Sequence, residues 1–258
     1  MVKSLGSLER DYRAMTPLSL AQWERGKPVM PGGVIKGAYW FPPYPLYFDH
    51  AEGCYLWDLD GNRYLDFANH HTAMILGHSD TAVVKAVKDE VGRGFGLGGP
   101  TVLEAEIAEE IVRRIPSVEK VRYTNSGTEA TLQASRLVRA ASGKPKIAKF
   151  EGAFHGAHDA LEYSISAAQN QGISGPPDAP VPVPAHRGMP VGSEAQLVIL
   201  PYNDPETVEL ILRENQHEIA AVIYDGKPAA LEIPYDFSQF VRRITRELGI
   251  YLILDEVV

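Results

Sequence analysis

Three short stretches carry residue types whose spacing could do chemistry. The first is NSGTEA, residues 125–130, which follows a strand-like run and opens a helical pattern. Ser126, Gly127 and Thr128 combine two hydroxyls, exposed backbone N–H groups and a residue small enough to let an anion approach, all at the positive end of a helix dipole. That constellation suits a phosphate. The same letters also satisfy a plain capped helix start, with Asn125 or Ser126 as cap and Glu129 in the first turn. The second stretch is KFEGAFHGAHD, residues 149–159, where Phe154 and His155 stand between Gly152 and Gly156. A turn of this kind can aim an aromatic face and an imidazole into one crevice, where a flat ring could stack; packing plus a surface hydrogen bond is the plainer alternative. The third is YLILDEVV, residues 251–258, an apolar run that delivers Asp255 to the carboxyl end of a strand. There the acid serves either a ligand or the turn that follows.

The elements that must position these residues can be read from periodicity. Residues 1–45 begin with a charged, helix-compatible segment and pass into the aromatic, proline-rich arm PGGVIKGAYWFPPYP. LYFDHAEGCYLWDLDGNRYLDF alternates apolar and polar residues on either side of Asp60-Gly61, which predicts a hairpin in a small antiparallel sheet. Helical spacing recurs over 80–91 and 101–115, separated by GRGFGLGGP. From Val118 onward VEKVRYTN, KIAKF, QLVILP, EIAAVIY and IYLILDE read as strands alternating with helices, the pattern of a mainly parallel sheet covered on both faces. Ligands bind such sheets at the carboxyl ends of the strands, where all three stretches fall. The loop 172–192, with six prolines and four glycines, reads as a cover over a site or as disorder. A phosphate cradle, a stacking surface and a carboxylate together are what pyridoxal phosphate needs: the acid pairs with the pyridine nitrogen, and the protonated ring withdraws electrons from a substrate carbanion.

Composition narrows the alternatives. The chain has 258 residues, 45% hydrophobic and 22% charged, which is globular. Its 25 basic and 33 acidic residues leave a net charge of -8 with no basic block, so nucleic acid is not an expected partner. A single cysteine, Cys54, allows no internal disulfide and no cysteine metal cluster, and the start MVKSLGSLERDYRAM lacks the apolar core of a signal peptide. No apolar run approaches the roughly 18 to 20 residues that cross a bilayer. A cytoplasmic setting is expected, without membrane contact and without a metal.

Seven spaced motifs, in one order, carry a resemblance: MPGGV (30–34), YLWDLDGNRYLDF (55–67), MILGH (74–78), GGPTVLEAEIAEEI (98–111), VRYTNSGTEATLQASRLVRAASGKPKIAKFEGAFHG (121–156), PYND (201–204) and LILDEV (252–257). The sequence resembles the class III (ornithine-type) aminotransferases of pyridoxal-phosphate fold type I, and within them the glutamate-1-semialdehyde aminomutases and their relatives. The resemblance implies an arm and small-domain segment over 1–95 and the first part of a large α/β cofactor domain over 96–258. It implies pyridoxal 5'-phosphate as cofactor, with Ser126, Gly127 and Thr128 on the phosphate, Phe154 and Val257 on the two ring faces, His155 beside them and Asp255 on the ring nitrogen. Phe154 stands where the family usually has tyrosine, which keeps the stacking surface and loses a hydroxyl.

The resemblance also implies what this sequence does not match. The family's Schiff-base lysine has no counterpart here and is expected beyond Val258, with a small carboxyl-terminal domain and a threonine that reaches the partner subunit's phosphate. A homodimer is implied for the full-length protein, and no transamination is expected of the 258-residue chain alone. An arginine that holds a substrate carboxylate after the MPGGV-like motif is replaced by IKGAYWFPP, offering Lys36, Tyr39 and Trp40. His71 replaces an aminomutase tryptophan, and AAVIYDGKPAALEIP lacks the usual Glu-Pro, with Lys227 in it reading as a solvated loop lysine. These departures favour an aminotransferase of aminomutase-like sequence, acting on an amino acid or amine with a 2-oxo acid. The aminomutase itself and a non-catalytic half-length module are the alternatives.

Overall fold

The computed structural model describes residues 4–94, 96–166, 172–226 and 232–257. Lys227 therefore lies outside the described residues. The chain divides into two compact units, one reaching to Thr101 and the other running Val102–Val257.

In the first unit two helices, α1 (Leu5–Met15) and α2 (Pro17–Gly26), lead through short 3-10 turns to a three-stranded antiparallel sheet of β1 (Phe48–Glu52), β2 (Tyr55–Asp58) and β3 (Arg63–Leu65). The expected turn at Asp60-Gly61 joins β2 to β3, with Tyr55 opposite Leu65 and Gly61 at φ 82. A second turn at Gly53 and Cys54 joins β1 to β2. Asp58 organises this unit. Although only 2% exposed, its carboxylate accepts from the Asn62 side chain at 2.9 Å, the Tyr64 hydroxyl at 2.7 Å and the N–H groups of Asn62 and Asp60 at 2.8 and 3.0 Å. The amphipathic helix α3 (Thr81–Val91) follows, capped by Asp80.

The second unit begins with α4 (Val102–Arg114) and α5 (Gly127–Ser142). Its sheet has the order β5-β4-β6-β7, built from β4 (Lys146–Phe150), β5 (Leu197–Leu200), β6 (Ile219–Asp225) and β7 (Tyr251–Asp255), every pair parallel. Helices α6 (Pro205–Asn215) and α7 (Tyr235–Glu247) provide the crossovers. Spacing explains their burial: α7 buries Phe237, Phe240, Val241, Ile244 and Thr245, one stripe at 3.6-residue periodicity. They pack with Ala148, Phe150, Val222 and Tyr224 on one sheet face, while Ile147, Ala221 and Ile223 meet Val138 of α5, Leu161 and Tyr163 on the other.

Two strand expectations change. VEKVRYTN forms no strand, because no described segment pairs with it. β7 is a strand, yet among the described residues it pairs with β6 alone and leaves Tyr251 and Leu254 about half exposed rather than buried. The loop 172–192 is an irregular coil of turns, joined to the body by a bridge from Pro184 to Tyr163.

Burial raises the Asp58 pKa, but its four hydrogen bonds lower it more, so the net value lies below the usual carboxylate range. A depressed pKa contributes stability that is present above the unfolded value and lost as pH falls through the folded one. We expect Asp58→Asn to lower unfolding stability by about 2 kcal/mol at pH 7. The gap between the urea midpoints of the two proteins should hold steady above about pH 4 and narrow only as pH falls further, through the depressed folded pKa.

Candidate functional site

The carboxyl ends of β4 and β7 and the amino end of α5 meet within the second unit. Ser126 caps α5: its Oγ accepts from the Glu129 N–H at 3.2 Å, and Glu129 Oε2 accepts in return from the Asn125 N–H at 2.6 Å. The reciprocal pair is a capping box shifted by one residue, so the plain reading of NSGTEA is realised by the side chains. The first backbone N–H groups of a helix have no intrahelical acceptor, so the same turn also presents donors that the Ser126 cap does not use.

The turn after β4 closes over this helix start. Thr128 Oγ1 accepts from the Ala157 N–H at 3.2 Å. Thr131, one turn further along α5, donates from Oγ1 to the His155 carbonyl at 2.7 Å and lies 3.2 Å from His158 Nε2. The approach is close enough to require glycine. Gly156 has φ +97, and a Cβ there would lie 2.8 Å from Thr128 Cα. A Cβ on Gly127 would come within 3.1 Å of Val257 Cγ2, so the end of β7 also reaches the start of α5.

Asp255 ends β7 beside Asp225, its register partner at the end of β6. Its Oδ2 accepts from His155 Nδ1 at 2.9 Å and its Oδ1 from the Val257 N–H at 3.2 Å. The His155 side chain is fully buried and that of Asp255 is 9% exposed. Burial raises the Asp255 pKa, but the His155 hydrogen bond, the Val257 N–H and the imidazole charge outweigh it, so the carboxyl is held below its usual range and is ionised at neutral pH. His155 Nε2, on the other side of the ring, is buried without a partner among the described residues. Phe154 and Val257 are 54% and 63% exposed, two large apolar surfaces at the rim of this pair.

Ser126, Gly127, Thr128, Phe154, His155, Asp255 and Val257 are thus drawn together. Lys36, Trp40 and His71 lie in the first unit. Lys36 Nζ stands 5.8 Å from the Tyr39 ring centre, Trp40 is 45% exposed, and His71 occupies a run from Asn69 to Thr72 with positive φ. Sequence reasoning missed a cavity of about 740 Å³ in that unit, lined mainly by apolar residues such as Val34, Phe41 and Leu46, with Asp66 and His78 at its polar part. His78 Nε2 is 2.7 Å from Asp66 Oδ2. It also missed Lys149, a lysine without solvent exposure in the central strand β4. Its one signal was a second charged residue in KIAKF.

The parallel sheet, its flanking helices and the strand-end site define the fold of pyridoxal-phosphate transferases of fold type I. The aminotransferase class-III family model matches residues 38–258, and the chain belongs to that family. Among curated relatives, glutamate-1-semialdehyde 2,1-aminomutase of Methanocaldococcus jannaschii is 40% identical over 240 residues, covering 92% of this chain and 54% of that protein. An omega-transaminase from Sphaerobacter thermophilus superimposes with TM-score 0.87 at 37% identity, over 93% of this chain and 55% of that one. A β-phenylalanine aminotransferase from Variovorax paradoxus gives TM-score 0.84 at 31% identity, over 98% and 54%. The chain spans about half the length of the relatives it matches.

The closeness of the two glycine contacts is testable. Gly156→Ala places a Cβ against helix backbone at a left-handed φ, and we expect a loss of about 2 kcal/mol or more in urea unfolding. Gly143→Ala, also left-handed at the end of α5 but with open space around it, should cost only about 1 kcal/mol.

Proposed function

We propose that this chain forms the cofactor-binding part of a pyridoxal-phosphate enzyme that moves an amino group. The observation that carries the reading is the ionised Asp255, fixed by buried His155 beside the amino end of α5. The residues fit the cofactor: the glycines at 127 and 156 leave a cradle that a Cβ would fill or deform, and the donors at the helix start match a phosphate dianion. When bound, pyridoxal phosphate supplies an electron sink for a substrate carbanion.

The chain's own residues have separable tasks. The N–H groups of Gly127 and Thr128 hold the phosphate, with the hydroxyls of Ser126 and Thr128 at its edge. Phe154 and Val257 enclose the flat ring and exclude water from its faces. Asp255 accepts a hydrogen bond from the ring nitrogen and keeps a proton there. His155 donates from Nδ1 to the same carboxylate, which holds it ionised and oriented.

For the full-length protein we favour an aminotransferase using an amino acid or amine as donor and a 2-oxo acid as acceptor, acting as a homodimer in the cytoplasm. The replaced arginine, with Lys36, Tyr39 and Trp40 near its place, and His71 motivate this choice, and the likeness to a β-phenylalanine aminotransferase agrees with a donor outside the common α-amino acids. The second reading is glutamate-1-semialdehyde 2,1-aminomutase, favoured by the identity to the Methanocaldococcus jannaschii protein. Assays of the full-length protein separate them. Amine-dependent conversion of a 2-oxo acid is expected, and efficient isomerisation of glutamate-1-semialdehyde without an external acceptor would overturn that preference.

The 258-residue chain alone is expected to bind the cofactor reversibly and not to transaminate. Asp255→Asn should weaken that binding by about tenfold or more, the value of a charge-assisted hydrogen bond, in an equilibrium titration monitored by cofactor absorbance. Borohydride reduction followed by peptide mapping should spread over several lysines. Stoichiometric labelling of one lysine, with Lys227 the first to inspect, would show an anchor within this chain.

A further inference from the structure

Lys149 has no role in the site as described, yet its place is unusual. It lies in the central strand between its register partners Ile199 of β5 and Ile223 of β6, with no solvent exposure. Taking an amine out of water costs several kcal/mol unless hydrogen bonds replace the lost hydration, and here they do. Nζ donates to the Ala153 carbonyl at 2.9 Å and to the Tyr163 carbonyl.

The two acceptors define a loop. Ala153 immediately precedes Phe154 and His155, and Tyr163 ends the segment that carries them together with Gly156, Ala157 and His158. Lys149 therefore ties both ends of this segment to one strand position. Backbone bonds from Gly152 N–H to the Ser164 carbonyl at 2.7 Å and from Ser164 N–H to the Val183 carbonyl at 2.7 Å extend the closure outward. Among the described residues, Lys149 is the side chain that donates to both carbonyls.

We propose that Lys149 is a positioning residue for the site: its buried amine closes the base of the loop 153–163 and so fixes where Phe154 and His155 stand. Burial, partly offset by the charge of Glu151, lowers its pKa to about 7. Two carbonyls need two hydrogens, which both the ammonium and the neutral amine possess, so the closure does not depend on the charge state. The consequence for the cofactor rests on the function proposed above, whereas the closure itself does not.

Hydrogen exchange of the purified chain tests the closure without any cofactor. Lys149→Met should speed exchange of amides in 153–163 by about tenfold or more while β6 amides stay within about twofold. Lys149→Gln, which retains two N–H donors, should recover most of that protection, and Lys146→Met, which removes only the exposed pair with Glu218, should change none of it. A second arm measures pyridoxal phosphate affinity: Lys149→Met should weaken it about tenfold in the unsubstituted background and less than about twofold in Phe154→Ala, because interacting positions are non-additive. Unchanged exchange in the loop, equal acceleration across β4 and β6, full additivity with Phe154→Ala, or failure of both Lys149 variants to fold would each overturn the proposal by assigning Lys149 to the core alone. Absence of cofactor binding by the unsubstituted chain would refute the proposed function and leave the exchange result standing as the test of the closure.

Discussion

The hydrogen bond from His155 to Asp255 joins groups 100 residues apart in sequence, and the rest of the site depends on what makes that bond possible. It requires β4 and β7 to run in the same direction with β6 between them, so that their carboxyl ends finish at one edge. Parallel neighbours need crossover connections, which explains why the chain devotes α6, α7 and long loops to returning each strand to the same start. The core on both faces follows from that demand, since a parallel sheet exposes two apolar surfaces to be covered. Burial then sharpens the chemistry. In a low-dielectric setting the imidazole N–H and the Val257 N–H hold Asp255 ionised against a desolvation cost that raises its pKa.

Much of this was legible in the sequence because it rests on local pattern. Apolar runs of strand length separated by 3.6-residue periodicity foretold β4 to β7 and α5 to α7, and the Asp60-Gly61 pair foretold the β2 to β3 turn. That these seven residues fall at one edge of the sheet was also legible, since each lies at a helix start, near a strand end or in the turn after one, while their tasks toward a cofactor belong to the proposal. What sequence missed depends on distant partners. Val118–Asn125 has the composition of a strand but finds no described neighbour to complete a ladder, and β7 reads as buried from its apolar letters although one side is open. The capping role of Ser126 and its reading as a phosphate ligand cannot be separated by letters at all, because both use the same helix end.

Lys149 illustrates the same limit from the other direction. A lysine within an apolar strand looks like an error in the pattern, and only the placement of the Ala153 and Tyr163 carbonyls explains it. The cavity of the first unit is likewise invisible in the sequence, because Val34, Phe41 and Leu46 come from an arm without regular periodicity.

The contact between Gly127 and Val257 makes two distant positions share a single small volume. Any methyl group added on the helix side must be subtracted on the strand side, so sequence drift at one position constrains the other even though neither is charged nor polar. A lineage that acquires alanine at 127 should therefore tolerate it best after 257 has shrunk, which imposes an order on the substitutions by which this crevice can change width.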